Sequence, residues 1–397
     1  MTNFCEALTL LEYNREKGPV VIEVHPQNYE FNKEKESIFI CSFPEQTEKN
    51  IIFSFTVKKF LCYIWSFVLN EKIYSITILS RVTMPSFYLD FLKQCQDKFK
   101  ELEPSVRFKF IKDLIFKWDY TKNFQTIKFS FPNKDFEVQT SDLRLPFCNF
   151  DPTVNIGKDT ILLRIWKALI TNQSILFIGN NPTQLSNAVF SALSMITPFK
   201  FIDYYIIFTR LGDPRFADVI NGSKRWRIVG TTNSLASERC SQFQVVIKLS
   251  DKPNPSNQDT LNFVRKRSNK LAEKSEMHLN YMLESDPYSD ILNHFDMNKD
   301  FARCIRRIDL SENEYTNFAH SSMFWEWRRP LIYRESFREA ILSFIPDDVV
   351  SKHSNDDLAI VEKSLAGYYD HIRGDDHLKA VLALHLKLIR KRIHQQK

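Results

Sequence analysis

The spacing of apolar residues changes period twice along this chain, and that change limits the folds open to it more than any single motif. Through the first third, Val20 to Val24, Ile38 to Phe43, Ile51 to Val57, Phe60 to Leu69 and Tyr74 to Leu79 are short runs rich in Ile, Val, Phe and Tyr. Asn, Glu, Lys and Pro separate them, the pattern of strands in an antiparallel sheet, with a hairpin turn at Asn70-Glu71-Lys72. After Pro85 the spacing becomes helical. Phe87, Phe91, Leu92, Cys95 and Phe99 share one face, and Val106 to Trp118 reads as a second helix. Phe124 to Phe131 alternates as a strand that completes a small α/β module.

Pro132 to Lys158 holds three prolines and no sustained period, which predicts a linker or long surface connection. The next stretch alternates. Helices are expected over Thr160 to Ile170 and Thr183 to Ile196, and strands over Ser174 to Ile178, Tyr204 to Phe208, Arg225 to Val229 and Phe243 to Leu249. Strands alternating with helices imply a parallel sheet of βαβ units. Thr231, Thr232, Asn233 and Ser234 offer capping oxygens to a short helix, Leu235 to Cys240. Beyond a break at Lys252 to Asn257 only helices are expected: Leu261 to Leu283, Tyr288 to Phe295, Phe301 to Ile308, Met323 to Phe344, Asp356 to Tyr369 and Asp375 to Ile393. The predicted fold is therefore an α/β chain of successive parts, with a first module over 1–131, a linker over 132–158, an α/β core over 159–250 and a helical part over 256–397.

The residues exclude most motif-defined chemistry. With eight glycines, the chain has no G-x-G turn and no G-x-x-x-x-G-K loop, and it lacks the zincin, hydrolase-elbow and kinase signatures. Seven scattered cysteines without C-x-x-C suit reduced thiols in a cytoplasmic protein. His371, His377 and His385 lie close in sequence, but none are four apart, so no metal site is expected, and no cofactor either. The pairs Asp347-Asp348, Asp356-Asp357 and Asp375-Asp376 each follow a breaker and open an apolar run, the place for helix capping. Met1 to Tyr13 carries two glutamates and no basic lead, unlike a signal peptide. Lys58 and Lys59 interrupt the most apolar stretch, so no transmembrane segment is expected. A net charge of +6 suits an acidic protein partner or a peripheral contact with an anionic membrane, and falls short of the basic stripe that nucleic acid demands. The basic runs Arg265-Lys266-Arg267 and Lys387, Arg390, Lys391, Arg392 and Lys397 read as solvated helix faces. Phe324-Trp-Glu-Trp-Arg-Arg-Pro330 reads as core packing with snorkelling arginines, with a partner-facing hot spot as the alternative.

Four stretches, in order, resemble the DENN-domain family. Phe60 to Leu69 followed by Ser75-Ile-Thr-Ile-Leu-Ser-Arg81, Pro85 and Phe87-Tyr-Leu-Asp-Phe-Leu92 is similar to the family's strand, strand end and amphipathic helix. Ile161-Leu-Leu163 and Ser174-Ile-Leu-Phe-Ile178 with Leu185-Ser186 resemble its helix–strand–helix core. Thr197-Pro-Phe199 resembles its proline-aromatic break, and Ile228-Val-Gly-Thr-Thr-Asn233 its G-x-T-N-P turn, with Ser234 in place of the proline. The resemblance spans about 20–250 and extends more loosely over the tail.

The resemblance implies a longin-like N-terminal lobe joined to a DENN lobe, and guanine nucleotide exchange on a Rab-family small GTPase in vesicle trafficking. Exchange makes no covalent bond, so the implied chain is a GTPase regulator, cytoplasmic and recruited to vesicle or endosomal membranes. The candidate partner contacts are Ser86 and Tyr88 at the first lobe's helix entry, Asn180, Asn181 and Gln184 at a strand end, and Arg210, Asp213 and Arg215 after the next strand. A non-exchanging DENN scaffold, as in the folliculin-like branch, is the alternative. An α/β enzyme without a recognisable motif is the third reading.

Overall fold

A computed structural model describes residues 4–31, 34–44, 50–58, 60–121, 125–142, 144–292 and 299–395. Met1, Lys59, Phe124, Phe295 and Lys397, named above, lie outside the described residues. The architecture is mixed α/β, with an antiparallel sheet near the N-terminus and helices after it. The chain divides into two compact units, one of residues 1–197 and 201–265, the other of residues 198–200 and 266–397.

The first unit opens with β1 (Ala7–Asn14), β2 (Gly18–His25), α1 (Lys35–Ser42), β3 (Ile51–Val57), β4 (Phe60–Leu69) and β5 (Lys72–Ser80). The strands form one antiparallel sheet in the order β2-β1-β5-β4-β3. Asn70 and Glu71 adopt φ of 49° and 62°, the left-handed pair that a two-residue hairpin needs to match strand twist, and Leu69 pairs with Lys72 across it. α2 (Pro85–Phe99) starts on a proline and buries Phe87, Tyr88, Phe91, Leu92, Cys95 and Phe99 along its inner face. α3 (Pro104–Ile115) follows, then a second antiparallel sheet of β6 (Asp119–Thr121), β7 (Thr126–Ser130) and β8 (Asp135–Gln139). Trp118 closes this corner, its indole N–H donating to the Ser130 carbonyl at 2.9 Å and its ring against Phe91 and Phe129.

Two elements differ from the sequence reading here. Ile38 to Phe43, expected as a strand, lies in α1 as far as Ser42 and ends on its C-terminal cap. Ser37, Ile38, Cys41 and Ser42 are buried at a spacing of one, three and one, so the β-branched character of the run hid a helical face. β1, which the sequence reading left unassigned, sits second in the sheet between β2 and β5.

The stretch 132–158 holds β8, a 3-10 turn at Leu145–Phe147 and α4 (Pro152–Asn155). Then α5 (Asp159–Ile170), β9 (Ile175–Ile178), α6 (Pro182–Met195), β10 (Tyr205–Thr209), α7 (Pro214–Asn221), β11 (Ile228–Thr231), α8 (Ala236–Arg239) and β12 (Val245–Lys248) build a parallel sheet in the order β10-β11-β9-β12. In β10 the register slips between Ile206 and Thr209, so two residues face Gly230 alone. A Cβ on Gly230 would lie 2.1 Å from the Ile207 carbonyl oxygen, which explains the glycine at this position. The bulge turns the Ile207 N–H outward to the Thr56 hydroxyl on β3 at 3.3 Å, and that hydroxyl donates to the Tyr205 carbonyl at 2.9 Å. Farther along β3, the Ser186 hydroxyl of α6 accepts from Ser54 N and donates to Ser54 O, both at 2.9 Å, and Thr183 Oγ1 donates to Ile52 O. The open edge of the antiparallel sheet is thus closed by hydroxyls instead of another strand.

The second unit is helical. α9 (Gln258–Ser285) leads into α10 (Ser289–Leu292), α11 (Lys299–Arg306), α12 (Glu312–Ala319), α13 (Ser322–Arg328), α14 (Glu335–Ser343), α15 (Pro346–Ser351), α16 (Asn355–His371) and α17 (Asp376–His394). The single helix expected over Met323 to Phe344 is split, because Pro330 lacks an amide hydrogen and Tyr333 adopts φ of 72°. The acidic pairs stand at helix starts: Asp347-Asp348 in α15, Asp356-Asp357 in α16, and Asp375 capping α17 through Leu378 N at 3.0 Å. Phe324 and Arg328 are buried, whereas Trp325 and Arg329 face solvent, so the aromatic cluster divides between core and surface. Among the described residues no helix is long and apolar enough to cross a membrane.

His385 is fully buried in this unit, its Nδ1 2.6 Å from the Tyr288 hydroxyl. Burial depresses the imidazole to about 4, with the Ile341 backbone opposing that shift only in part. The unfolded chain takes up a proton here near pH 6.5, so it binds more protons than the folded chain between about pH 6.5 and 4. Stability should be full above that window and fall by about 3 kcal/mol as pH drops through it. Calorimetric melting of the full chain against pH checks this, and His385→Leu should flatten that part of the profile.

Candidate functional site

In open parallel sheets, loops at the carboxyl ends of the strands gather the functional groups. Here these are the segments after Ile178, Thr209, Thr231 and Lys248, and the sheet order places the first beside the last.

After β9 comes Gly179-Asn180-Asn181, then α6. Asn181 caps the helix, its Oδ1 accepting from Gln184 N at 2.9 Å. Gln184 folds back so that its Oε1 accepts from Asn180 N at 3.0 Å, and its amide donates to the Ser250 carbonyl. A Cβ at Gly179 would stand 2.8 Å from that Oε1, so glycine makes room for the fold-back. The Asn180 amide donates to Asp251 Oδ1. Asn180, Asn181 and Gln184 are therefore brought together, and Asn181 and Gln184 line a cleft of about 230 Å³ shared with α4 and the segment after β12.

After β10, Arg210, Asp213 and Arg215 form a second cluster of a different kind. Asp213 is 2% exposed and accepts from the Ser37 hydroxyl at 3.1 Å, the Cys41 thiol at 3.2 Å and the Thr209 hydroxyl at 2.9 Å. Arg215 Nε donates to both carboxylate oxygens, at 3.0 and 2.9 Å, and its remaining nitrogens reach the Thr56 and Phe208 carbonyls. Burial pushes the Asp213 carboxyl up, but the Arg215 charge and these hydrogen bonds outweigh it and hold it below the usual range. Burial likewise raises the Cys41 thiol well above its ordinary value, so it is no nucleophile. Arg210 Nη1 donates to the Phe43 carbonyl at 2.5 Å.

Ser86 and Tyr88, Asp213 and Arg215 are thus corrected as partner contacts, because their polar groups are used inside the first unit. The Ser86 hydroxyl accepts from Asn149 N at 3.1 Å. Tyr88 is fully buried, stacks on Tyr63 at 4.2 Å, and donates to the Phe4 carbonyl.

The sequence reading missed two exposed apolar residues on this rim. Leu211, two residues past β10, is 69% exposed, and Leu235, past β11, is 51% exposed. β10 and β11 are paired and end together at Thr209 and Thr231, so both leucines follow neighbouring strand ends. Their signal was an apolar side chain inside polar loops, Arg-Leu-Gly-Asp and Asn-Ser-Leu-Ala. Among the described residues no group of three or more His, Cys, Asp or Glu is placed to hold a metal ion. No family model matches the chain, and no curated protein matches its sequence.

Removing one partner of a buried ion pair strands the other charge. Asp213→Asn should therefore lower unfolding free energy by about 3–5 kcal/mol, measured by urea unfolding of the full chain. Leu211→Glu, on the exposed rim, should leave it within about 0.5 kcal/mol.

Proposed function

We propose that this chain promotes GDP release from a Rab-type small GTPase, using the carboxyl-end rim of its parallel sheet as part of the contact. The observation that carries this reading is the pair Leu211 and Leu235, exposed at the ends of adjacent strands and next to the Asn180 loop. Large apolar side chains ringed by polar loops are the features that protein contacts bury. The order of DENN-like stretches, an antiparallel strand and helix followed by an α/β core and helices, adds support from the sequence.

The physical demand is steep. A GTPase holding GDP at nanomolar to picomolar strength binds it with roughly −12 to −16 kcal/mol, so an exchange factor must favour the nucleotide-free form by a comparable margin. A broad contact of about 2,000 Å² or more supplies that preference without covalent chemistry. Two exposed leucines suit its centre, and the exposed Asn180 side chain its edge.

The test is release of a fluorescent GDP analogue from a panel of Rab-type GTPases, with and without the chain. Acceleration of one or a few members is expected. Leu211→Glu combined with Leu235→Glu should lower that acceleration at least tenfold with an unchanged melting temperature. Binding without acceleration would favour the scaffold reading, and full activity in the double variant would remove this rim from the contact.

A further inference from the structure

Beside the leucine rim, between the carboxyl ends of β9 and β12, lies the cleft of about 230 Å³. β9 and β12 are parallel neighbours at one side of the sheet, so the cleft sits outside the carboxyl ends of two adjacent strands. That is the ordinary ligand position in such sheets.

Its lining is dominated by carboxamides: Asn155, Asn181, Gln184, Asn187 and Asn254. Each carboxamide carries both a donor and an acceptor, and internal bonds use only part of that capacity. Asn155 donates its amide to Ser191 Oγ at 2.9 Å and keeps its oxygen. Asn254 donates to the Val154 carbonyl and also keeps its oxygen. Asn181 spends its oxygen on the helix cap and keeps its amide. The Asn187 side chain, half-buried on α6, has no hydrogen-bond partner among the described residues, so both of its carboxamide groups are open.

Unspent donors and acceptors around one cleft match a ligand that itself presents N–H and C=O groups along its length. No aromatic ring lines the cleft, so a sugar or nucleobase would find no stacking platform. Lys252 is the one cation in the lining and Asp251 the one carboxylate, a balance that suits a neutral ligand over a phosphate. The volume falls below the roughly 300 Å³ at which small-molecule pockets begin, so the ligand crosses the cleft instead of filling it.

We propose that this cleft binds an extended peptide segment of a partner protein by its backbone, with Asn187, Asn181, Asn155 and Asn254 reading peptide N–H and C=O groups. The inference is independent of nucleotide exchange, because it rests on the carboxamide wall and not on the leucine rim.

The experiment displays random heptapeptides to the full chain, then measures the selected sequences as fluorescein-labelled synthetic peptides. Selected peptides should compete with one another and tolerate alanine at most side chains. A single backbone N-methyl group at a reading position should weaken them at least fivefold. Asn187→Ala should weaken binding about fivefold to tenfold, the loss of one or two hydrogen bonds. Asn187→Trp, which fills the cleft, should abolish it, with the far-ultraviolet spectrum and melting temperature of both variants checking the fold. The proposal is overturned if no heptapeptide binds, if selected peptides bind both variants like the parent, if N-methylation has no effect, or if maltotriose binds in their place. Loss of binding in these variants with GDP release unchanged separates this site from the exchange reading.

Discussion

The buried pair Asp213–Arg215 is the interaction on which the first unit depends. It sits where α1, β3, β10 and α7 meet, and each of these gives it a group: Ser37 and Cys41, the Thr56 carbonyl, Thr209 and the Phe208 carbonyl, and the pair itself. Two charges taken out of water cost several kcal/mol each unless hydrogen bonds replace the lost solvent. Here donors on every side of the carboxylate, and carbonyls around the guanidinium, do so. Because α1 and β3 belong with the antiparallel sheet and β10 with the parallel one, the pair fixes how the two sheets meet.

The Ser and Thr hydroxyls of Thr56, Thr183 and Ser186 extend the same logic along the edge of β3. A strand edge left open would be a row of unpaired backbone groups. Hydroxyls from α6 satisfy Ile52 and Ser54 on this edge, and the Thr56 hydroxyl of β3 reaches the Tyr205 carbonyl and the Ile207 N–H that the bulge opposite Gly230 turns toward the seam. With β10 held at that seam, its carboxyl end and that of its neighbour β11 carry Leu211 and Leu235 on the exposed rim. The proposed contact thus draws its rigidity from polar groups that the solvent never sees.

Much of this fold was legible in the sequence. β4 spans Phe60 to Leu69 as its apolar run does, and the hairpin at Asn70, α2, α5, β9 and α6 follow from turn chemistry and period. What escaped was set by tertiary context. α1 looked like a strand because Ile38 and Ile40 are β-branched, yet its buried face is decided by Asp213, 172 residues away from Cys41. The site was legible only in part. Asn180, Asn181 and Gln184 stand out in the sequence because polar residues after a buried strand have a known place in α/β sheets, and the structure brings them together. Asp213 and Arg215 looked like surface charges, since a sequence does not reveal that Ser37, Cys41 and Thr56 wait to pair with them. Tyr88 lay on an apolar helix face, and its hydroxyl is consumed by Phe4 and Ser80.

The central claim is that this chain acts through the carboxyl-end rim of its parallel sheet on a small GTPase that has lost its nucleotide. Hydrogen–deuterium exchange of the full chain, alone and mixed with nucleotide-free Rab-type GTPases, tests it most directly. The account predicts new protection over residues 210–215 and 232–236 with at least one such GTPase. Protection confined to the helical residues 266–395, or none with any of them, would contradict it.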